Sequence, residues 1–544
     1  MTVAHGGELV ALALKAQGVK SIYTLCGGHI APIYEGCLNQ GIHILDFRHE
    51  QAAAHAADAH ARLTHNIGVA VVTAGPGVTD AVTAVANAYQ ARSPLVLLGG
   101  AAPLKTKGMG ALQEIPQTGL FADITKASFT VMRTENLLEN LQEAFHLALT
   151  GRPGPVFIEL PFDVLFNAID LPATPLTRVQ PEPVAPALAE VEAMFALLRA
   201  AERPVVVAGS QVYWDEAGAA LRQLAEQCDL PIFTNGAGRG ALPMNHPNCF
   251  KAARGAALKQ ADVILLIGTP LDFRLKYGKD WAADARLIQI ENDPAALHHN
   301  RRADVALCAS ARLVLEALSE GLQGLRYTPW REAVAALEAP HAAQLAAWMA
   351  LDDRPLNHFR FAAELERILD DETLVIADGG DIVSACAKVL TLTQSGQWLD
   401  PGPLGCLGVG APFAIAAKHL FPQKKVLLIS GDGSFGLNGF EFDTAVRFGL
   451  PFVCVVGNDA AWGQIRTPQI NMVGEARAVA TALAPTRYDK VVEALGGYGA
   501  YVDDPADLAE AVRRAFESGL PACVNVALDP RGMSKTGAST PYIV

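Results

Sequence analysis

The sequence is short of the features that would send it out of the cell, into a membrane or onto nucleic acid. Its nine cysteines are scattered, odd in number and include no C-x-x-C pair. That excludes a disulfide scaffold and fits the reduced core thiols of a cytosolic protein. No apolar stretch reaches 18 residues without a charge or a breaker, so no membrane span is expected. Met1 to Gly7 holds neither a basic region nor a cleavage motif, and no export signal is expected there. Lys and Arg number 43 against 56 Asp and Glu. The resulting net charge of −13 argues against a nucleic-acid partner, which would need a basic face. Charge is sparse altogether, at 18% of residues against 51% hydrophobic, which is the balance of a well-buried globular enzyme. These absences point to a cytoplasmic location.

What is present is a repeated rhythm of apolar run, glycine-rich loop and helix. At 544 residues the chain exceeds one core and suits three domains. In the first third, Ser21–Leu25 reads as a strand ending on Cys26-Gly27-Gly28-His29, and Ile42–Asp46 as one ending on Arg48-His49-Glu50. An alanine-rich helix is expected over Ala52–Arg62. Gly68–Thr73 then runs into Ala74-Gly75-Pro76-Gly77, and Leu95–Leu98 into Gly99-Gly100. Strands that all end on loops of Gly or His describe a parallel α/β sheet with a ligand edge.

Five prolines between Leu171 and Pro186 mark a stiff linker. Beyond it, the runs at 204–209, 263–268 and 287–290 form a second Rossmann-like unit without a phosphate fingerprint. It reads as a spacer domain, or, through Lys259, Arg274, Lys276 and Lys279 near its strand ends, as a nucleotide site. A helix over Tyr327–Leu351 leads to a third unit. That unit opens with Leu374–Ala377 running into Asp378-Gly379-Gly380-Asp381, and it carries four glycines between Gly402 and Gly410. The expected fold class is therefore α/β, with three Rossmann-like parallel-sheet domains at 1–170, 187–325 and 356–528. A tail follows at 529–544.

In the third unit, Gly431-Asp432-Gly433-Ser434 and Asn458-Asp459 end two successive apolar runs. Two carboxylates and exposed backbone N–H groups at one sheet edge suit a Mg²⁺ ion shared with a diphosphate. Taken alone, Gly-Asp-Gly is also ordinary turn chemistry. Glu50 beside Arg48 and His49 reads equally as a surface ion pair or as a functional acid, and His29 after two glycines as a turn residue or a proton carrier.

The motifs in order are Gly-Gly-His-Ile at 27–30, Arg-His-Glu at 48–50, Thr-Ala-Gly-Pro-Gly at 73–77, Leu-Gln at 112–113, Gly-Asp-Gly-Ser at 431–434 and Asn-Asp-Ala-Ala-Trp at 458–462. This order resembles the acetolactate-synthase-like superfamily of thiamin-diphosphate enzymes over nearly the whole chain. Within it the chain is most similar to the 2-hydroxyacyl-CoA lyases, with benzaldehyde lyase a near relative. One departure stands out: Asp459 occupies the place where the family usually has a second Asn.

The resemblance implies pyrimidine-binding, central and diphosphate-binding domains. It implies that Glu50 activates the cofactor through its pyrimidine, and that Asp432, Asp459 and the Ala461 carbonyl hold Mg²⁺. Gly379, Gly380, Asp381, Gly433 and Ser434 match positions near the diphosphate. Gly405 matches the carbonyl that meets the pyrimidine amine, and Leu407 the bulky residue that bends the cofactor. His29 and Gln113 would face the substrate hydroxyl, with Gly28, Trp462 and Gln464 lining the substrate pocket. Glu50 of one subunit would meet Asp432 of another, so a homodimer or homotetramer with active sites at the subunit interface is expected. The implied reaction is cleavage of a 2-hydroxyacyl-CoA to an aldehyde or ketone plus formyl-CoA. The alternative is a carboligase acting on 2-oxo acids or 2-hydroxy ketones, with FAD in the central domain in the acetolactate-synthase case. A regulatory subunit without turnover would have no need of Glu50 and the metal loops. The tail, with Arg531 and Lys535 available for phosphates and Tyr542-Ile543-Val544 as an anchor, is expected to close over the thioester as a lid.

Overall fold

The computed structural model describes residues 3–171 and 175–536, and in it three parallel sheets succeed one another along the chain. The first has six strands in the spatial order His43–Asp46, Ser21–Thr24, Gly68–Val72, Leu95–Ala101, Val156–Pro161, Ala127–Thr130. The second has five, in the order Ile232–Thr234, Pro204–Ala208, Val263–Ile267, Arg286–Glu291, Val305–Cys308. The third has six, in the order Trp398–Leu399, Leu374–Asp378, Val426–Gly431, Val453–Asn458, Ala522–Ala527, Tyr498–Val502. A short antiparallel pair, Val3–His5 with Ala168–Asp170, closes the first domain. Strands with helices on both faces are buried throughout, as at Gly68–Val72 and Val156–Pro161, and this is why they read as continuous apolar runs.

Several elements differ from the sequence reading. Glu50 is the first residue of its helix, Glu50–Thr64, rather than the end of a strand. Gly99 and Gly100 lie inside the strand Leu95–Ala101. They are glycines because the Phe157 ring and the His29 side chain press against them, at 2.6 and 2.7 Å from where a Cβ would stand. After the Gly431-Asp432-Gly433-Ser434 loop the chain forms two short helices, Asp432–Asn438 and Glu441–Arg447. The short strands Ile232–Thr234 and Val305–Cys308 went unread, since three or four residues carry too little pattern.

The alanines of the Glu50 helix let it lie close to its neighbours: Gly68 approaches so near that a Cβ there would be 1.8 Å from the Ala57 carbonyl oxygen. On its other side the helix packs against the helix Gly410–Leu420, and one apolar core runs from the first domain into the third. The central domain has its own core. It is tied to the first domain by the buried ion pair Arg92–Glu291 at 2.5 Å, and to the third by the long helix Thr328–Met349. No described helix is long and apolar enough to cross a membrane, and all nine cysteines are unpaired.

Four of the cations singled out in the sequence have acidic partners in the fold. Arg274 is paired with Asp272 at 2.6 Å and Lys276 with Asp280 at 2.5 Å. In the tail, Arg531 bonds Glu475 and Lys535 bonds Asp529. Residues 529–536 are pinned to the third domain, with Met533 buried and Asn357 donating to the Gly532 carbonyl at 3.1 Å. The rest of the expected lid, 537–544, lies outside the described residues.

Candidate active site

Adjacent parallel strands of the third sheet end together, and the loops that follow them bring the third-domain candidates to one place. Asp432 is buried at the start of its helix, where Oδ1 accepts the Gly433 N–H at 2.8 Å and Oδ2 the Ala461 N–H at 3.3 Å. The same Ala461 N–H reaches Asp459 Oδ1 at 3.1 Å. Ala460 takes the left-handed conformation, with φ of 53°, that turns this loop back toward Asp432. Asp459 Oδ2 and Asp381 Oδ2 both crowd Gly463, at 2.6 and 3.1 Å from where its Cβ would be.

Three carboxylates thus share one buried spot. Burial pushes Asp381 and Asp432 up to about 6. It pushes Asp459 up to about 8, with the charges of Asp432 and Asp381 adding to the effect. The nearest ring, His358, has Nε2 4.0 Å from Asp459 Oδ2, but burial pushes its pKa down to about 4, so it is neutral and does not compensate. Oxygen donors crowded together against their own repulsion fit a hard divalent cation. The surroundings fit a diphosphate beside it: Gly379 and Gly380 precede the helix Asp381–Val389, and helix N-termini suit anions. A Cβ on Gly380 would stand 2.2 Å from Gln464 Oε1, and one on Gly433 2.5 Å from the Trp462 ring. Those two glycines are what allow Trp462 and Gln464 to close over the loops.

All twelve third-domain candidates, namely Gly379, Gly380, Asp381, Gly405, Leu407, Asp432, Gly433, Ser434, Asp459, Ala461, Trp462 and Gln464, line one cavity of about 1120 Å³. Glu50, His29, Gln113 and Gly28 do not line it. They gather instead on the first domain. His29 Nδ1 lies 3.2 Å from Thr73 Oγ1. A Cβ on Gly77 would meet Glu50 Oε1 at 3.2 Å, and one on Gly75 the Gln113 carbonyl at 2.8 Å. Glu50 is 7% exposed, so it is no surface ion pair. Partial burial lowers the His29 pKa, which favours the neutral ring. The candidate residues therefore fall into two separate clusters, one on the first domain and one on the third.

Two supporting residues escaped the sequence reading. Asp378, buried and pushed up to about 6, accepts the N–H groups of Gly408 and Gly410 and so shapes the glycine loop. Gln117 accepts the Gly75 N–H at 2.8 Å and donates to the Gly100 carbonyl at 3.0 Å, bracing the loop beside Glu50. Asp378 stood at a strand end beside two glycines, a signal that was available. Gln117 offered none.

Asp459 supplies two expected results from one variant. Asp459→Asn keeps an oxygen ligand and removes one of three crowded charges, so thiamin diphosphate affinity at fixed Mg²⁺ should survive; total loss of binding would show that Asp459 does something other than hold the metal. The second result concerns the metal-free protein. A carboxyl raised on folding keeps its proton where the unfolded chain has lost it, so its contribution to stability is full below about pH 4 and is lost as pH rises through about 8. The wild-type Tm without Mg²⁺ should fall between pH 6 and pH 8 more steeply than that of Asp459→Asn. Equal slopes in thermal melts would contradict the crowding described above.

Comparison with known proteins agrees with this layout. Three domain models of the thiamine pyrophosphate enzymes match: the N-terminal TPP binding domain at residues 4–120, the central domain at 191–318 and the C-terminal TPP binding domain at 378–526. The acetolactate synthase large subunit IlvG of Mycobacterium tuberculosis is 41% identical over 97% of this chain and 96% of its own. The 2-hydroxyacyl-CoA lyase 2 of Caenorhabditis elegans is 38% identical over 95% of this chain and 87% of its own. The human 2-hydroxyacyl-CoA lyase 2 is 37% identical over 97% and 90%. With three domain models in register and relatives spanning its length, the chain belongs to the thiamine pyrophosphate enzyme family.

Proposed function

We propose that this protein, with thiamin diphosphate and Mg²⁺, is a cytoplasmic carbon–carbon lyase. It cleaves 2-hydroxyacyl-CoA thioesters to an aldehyde or ketone plus formyl-CoA, and joins the same pair in reverse. The observation that carries this reading is the shape of the cavity. From Asp432 and Trp462 it continues past Lys388 to Lys251, Arg254 and His341. Lys251 and Arg254 donate to the carbonyls of Leu390 and Arg274 rather than to carboxylates, and Phe250, Trp348 and Met349 supply apolar wall. A long thioester bearing phosphates has use for this cationic, partly apolar part of the cavity beyond the cofactor residues, whereas a 2-oxo acid of a few atoms does not.

The residues divide the work. Asp432, Asp459 and the Ala461 carbonyl would hold Mg²⁺, with Gly379, Gly380, Asp381, Gly433 and Ser434 around the diphosphate. Gly405 and Leu407 would set the pyrimidine. When bound, the cofactor supplies a carbon nucleophile and an electron sink for the bond that breaks. Glu50 from a second copy of the chain would hold a proton at the pyrimidine N1′, which completes the site in a homodimer or homotetramer. Neutral His29 takes the proton of the substrate hydroxyl, Gln113 bonds the same oxygen, and Gly28, Trp462 and Gln464 bound the acyl group.

The 41% identity to acetolactate synthases favours one second reading, a carboligase acting on 2-oxo acids. Product analysis separates the two: the purified protein with thiamin diphosphate and Mg²⁺ is given a 2-hydroxyacyl-CoA or pyruvate. Aldehyde and formyl-CoA from the thioester support the lyase. Acetolactate from pyruvate, with bound flavin colouring the protein yellow, would overturn it.

A further inference from the structure

We infer that Arg62 is a positioning residue for the glycine loop 402–410, the segment that carries Gly405 and Leu407. The inference rests on the reading of that loop as the pyrimidine side of the thiamin diphosphate site. Arg62 lies on the helix whose first residue is Glu50, three turns further on. Its guanidinium grips Asp58 with two parallel bonds, Nε to Oδ1 at 2.8 Å and Nη2 to Oδ2 at 2.7 Å. Asp58 is fully buried and held from another side by Asn87 Nδ2 at 3.1 Å. With the fork fixed in this way, Nη1 donates to the Asp400 carbonyl at 2.7 Å and Nη2 reaches the Pro401 carbonyl at 3.4 Å.

Those carbonyls belong to the two residues that lead into the loop. The Asp400 side chain closes the same turn, accepting the Trp398 indole N–H and the Gly402 N–H, both at 2.9 Å. At the far end, Asp378 accepts the Gly408 and Gly410 N–H groups, and Asn438 Nδ2 donates to the Gly408 carbonyl at 2.7 Å. Between the clamps stands Gly405, with φ of 67°. Cys406 is next to it, its Sγ 3.8 Å from Nε2 of His55 on the Glu50 helix. The far clamp belongs to the loop's own domain and the near one to the first domain. Lysine has one compact charge and no planar fork, so it cannot hold Asp58 and a carbonyl in fixed directions at once.

The alternative is that Arg62 merely glues two domains together, and binding measurements on the full-length protein separate the two. Thiamin diphosphate and inorganic pyrophosphate, each with Mg²⁺, are titrated calorimetrically into wild type and Arg62→Lys. Pyrophosphate has no pyrimidine and reports only on the metal and diphosphate loops. Thiamin diphosphate affinity should fall by about tenfold or more, the order of a lost supporting contact, while pyrophosphate affinity holds within about twofold. Should Arg62→Lys fail to fold, Asp58→Asn/Arg62→Gln removes both charges together and leaves no buried acid alone. Unchanged affinity for both ligands, or an equal fall in both, overturns the role. A wild type that binds pyrophosphate but not thiamin diphosphate overturns the underlying reading of the loop, and Arg62's role with it.

Discussion

Glu50→Gln is expected to abolish turnover while leaving the fold and the metal loops intact. The change is isosteric, and the side chain sits buried in the first turn of its helix, with Oε1 packed toward Gly77. An amide can occupy that space but cannot exchange a proton with a ring nitrogen. Loss of a positioned acid–base group costs on the order of 10²–10⁴ in rate. Cofactor affinity should hold within a few-fold, because Glu50 lies outside the cavity that carries the diphosphate and metal loops. Proton exchange at the thiazolium carbon of bound cofactor, followed by NMR, reads the step directly. A wild-type exchange rate in the variant would sink the assignment.

Asp432→Ala should act on binding instead. On the proposed reading Asp432 would offer a carboxylate to the metal, and it takes up the N–H groups of Gly433 and Ala461, so its loss would remove a ligand and loosen both loops that frame the site. Mg²⁺-dependent binding of thiamin diphosphate is expected to weaken by about 100-fold or more, beyond the 10- to 100-fold of a supporting residue. Whatever its absolute Tm, the metal-free variant should lose less stability than wild type as pH rises from 6 to 8, because one of three mutually repelling acids is gone. Calorimetric titration and thermal melts give the two readouts. Retained cofactor affinity would remove Asp432 from the metal site.

The fold was legible because buried parallel strands announce themselves as apolar runs, and the loops after them as Gly, Asp and His. Asp432 and Asp459 were readable for that reason, each closing a run of strand residues. Glu50 was ambiguous, since neither Arg48 nor His49 in the sequence says that the carboxyl is buried; that follows from the alanines packing its helix against two neighbours. Gln117 and Arg62 were illegible. Their partners, Gly75, Gly100 and Glu159 for one and Asp400 and Pro401 for the other, are supplied by tertiary structure at separations of 17 to 339 positions. The ion pairs of Arg274 and Lys276 were illegible for a related reason: Asp272 and Asp280 were in view, but pairing had to be seen in space.

The separation of the two candidate clusters on each chain has a genetic consequence. If every working centre draws Glu50 from one copy and Asp432 from another, the two inactivating changes fall on different halves of the same centre. A chain with Glu50→Gln and a chain with Asp432→Ala would each be dead as a homodimer. In a mixed dimer, one centre would collect both lesions and the other neither. Co-expression of the two dead alleles should therefore restore activity, approaching one quarter of wild type if the copies associate at random, since half the dimers are mixed and each has one intact centre of two. A single chain carrying both changes should rescue neither.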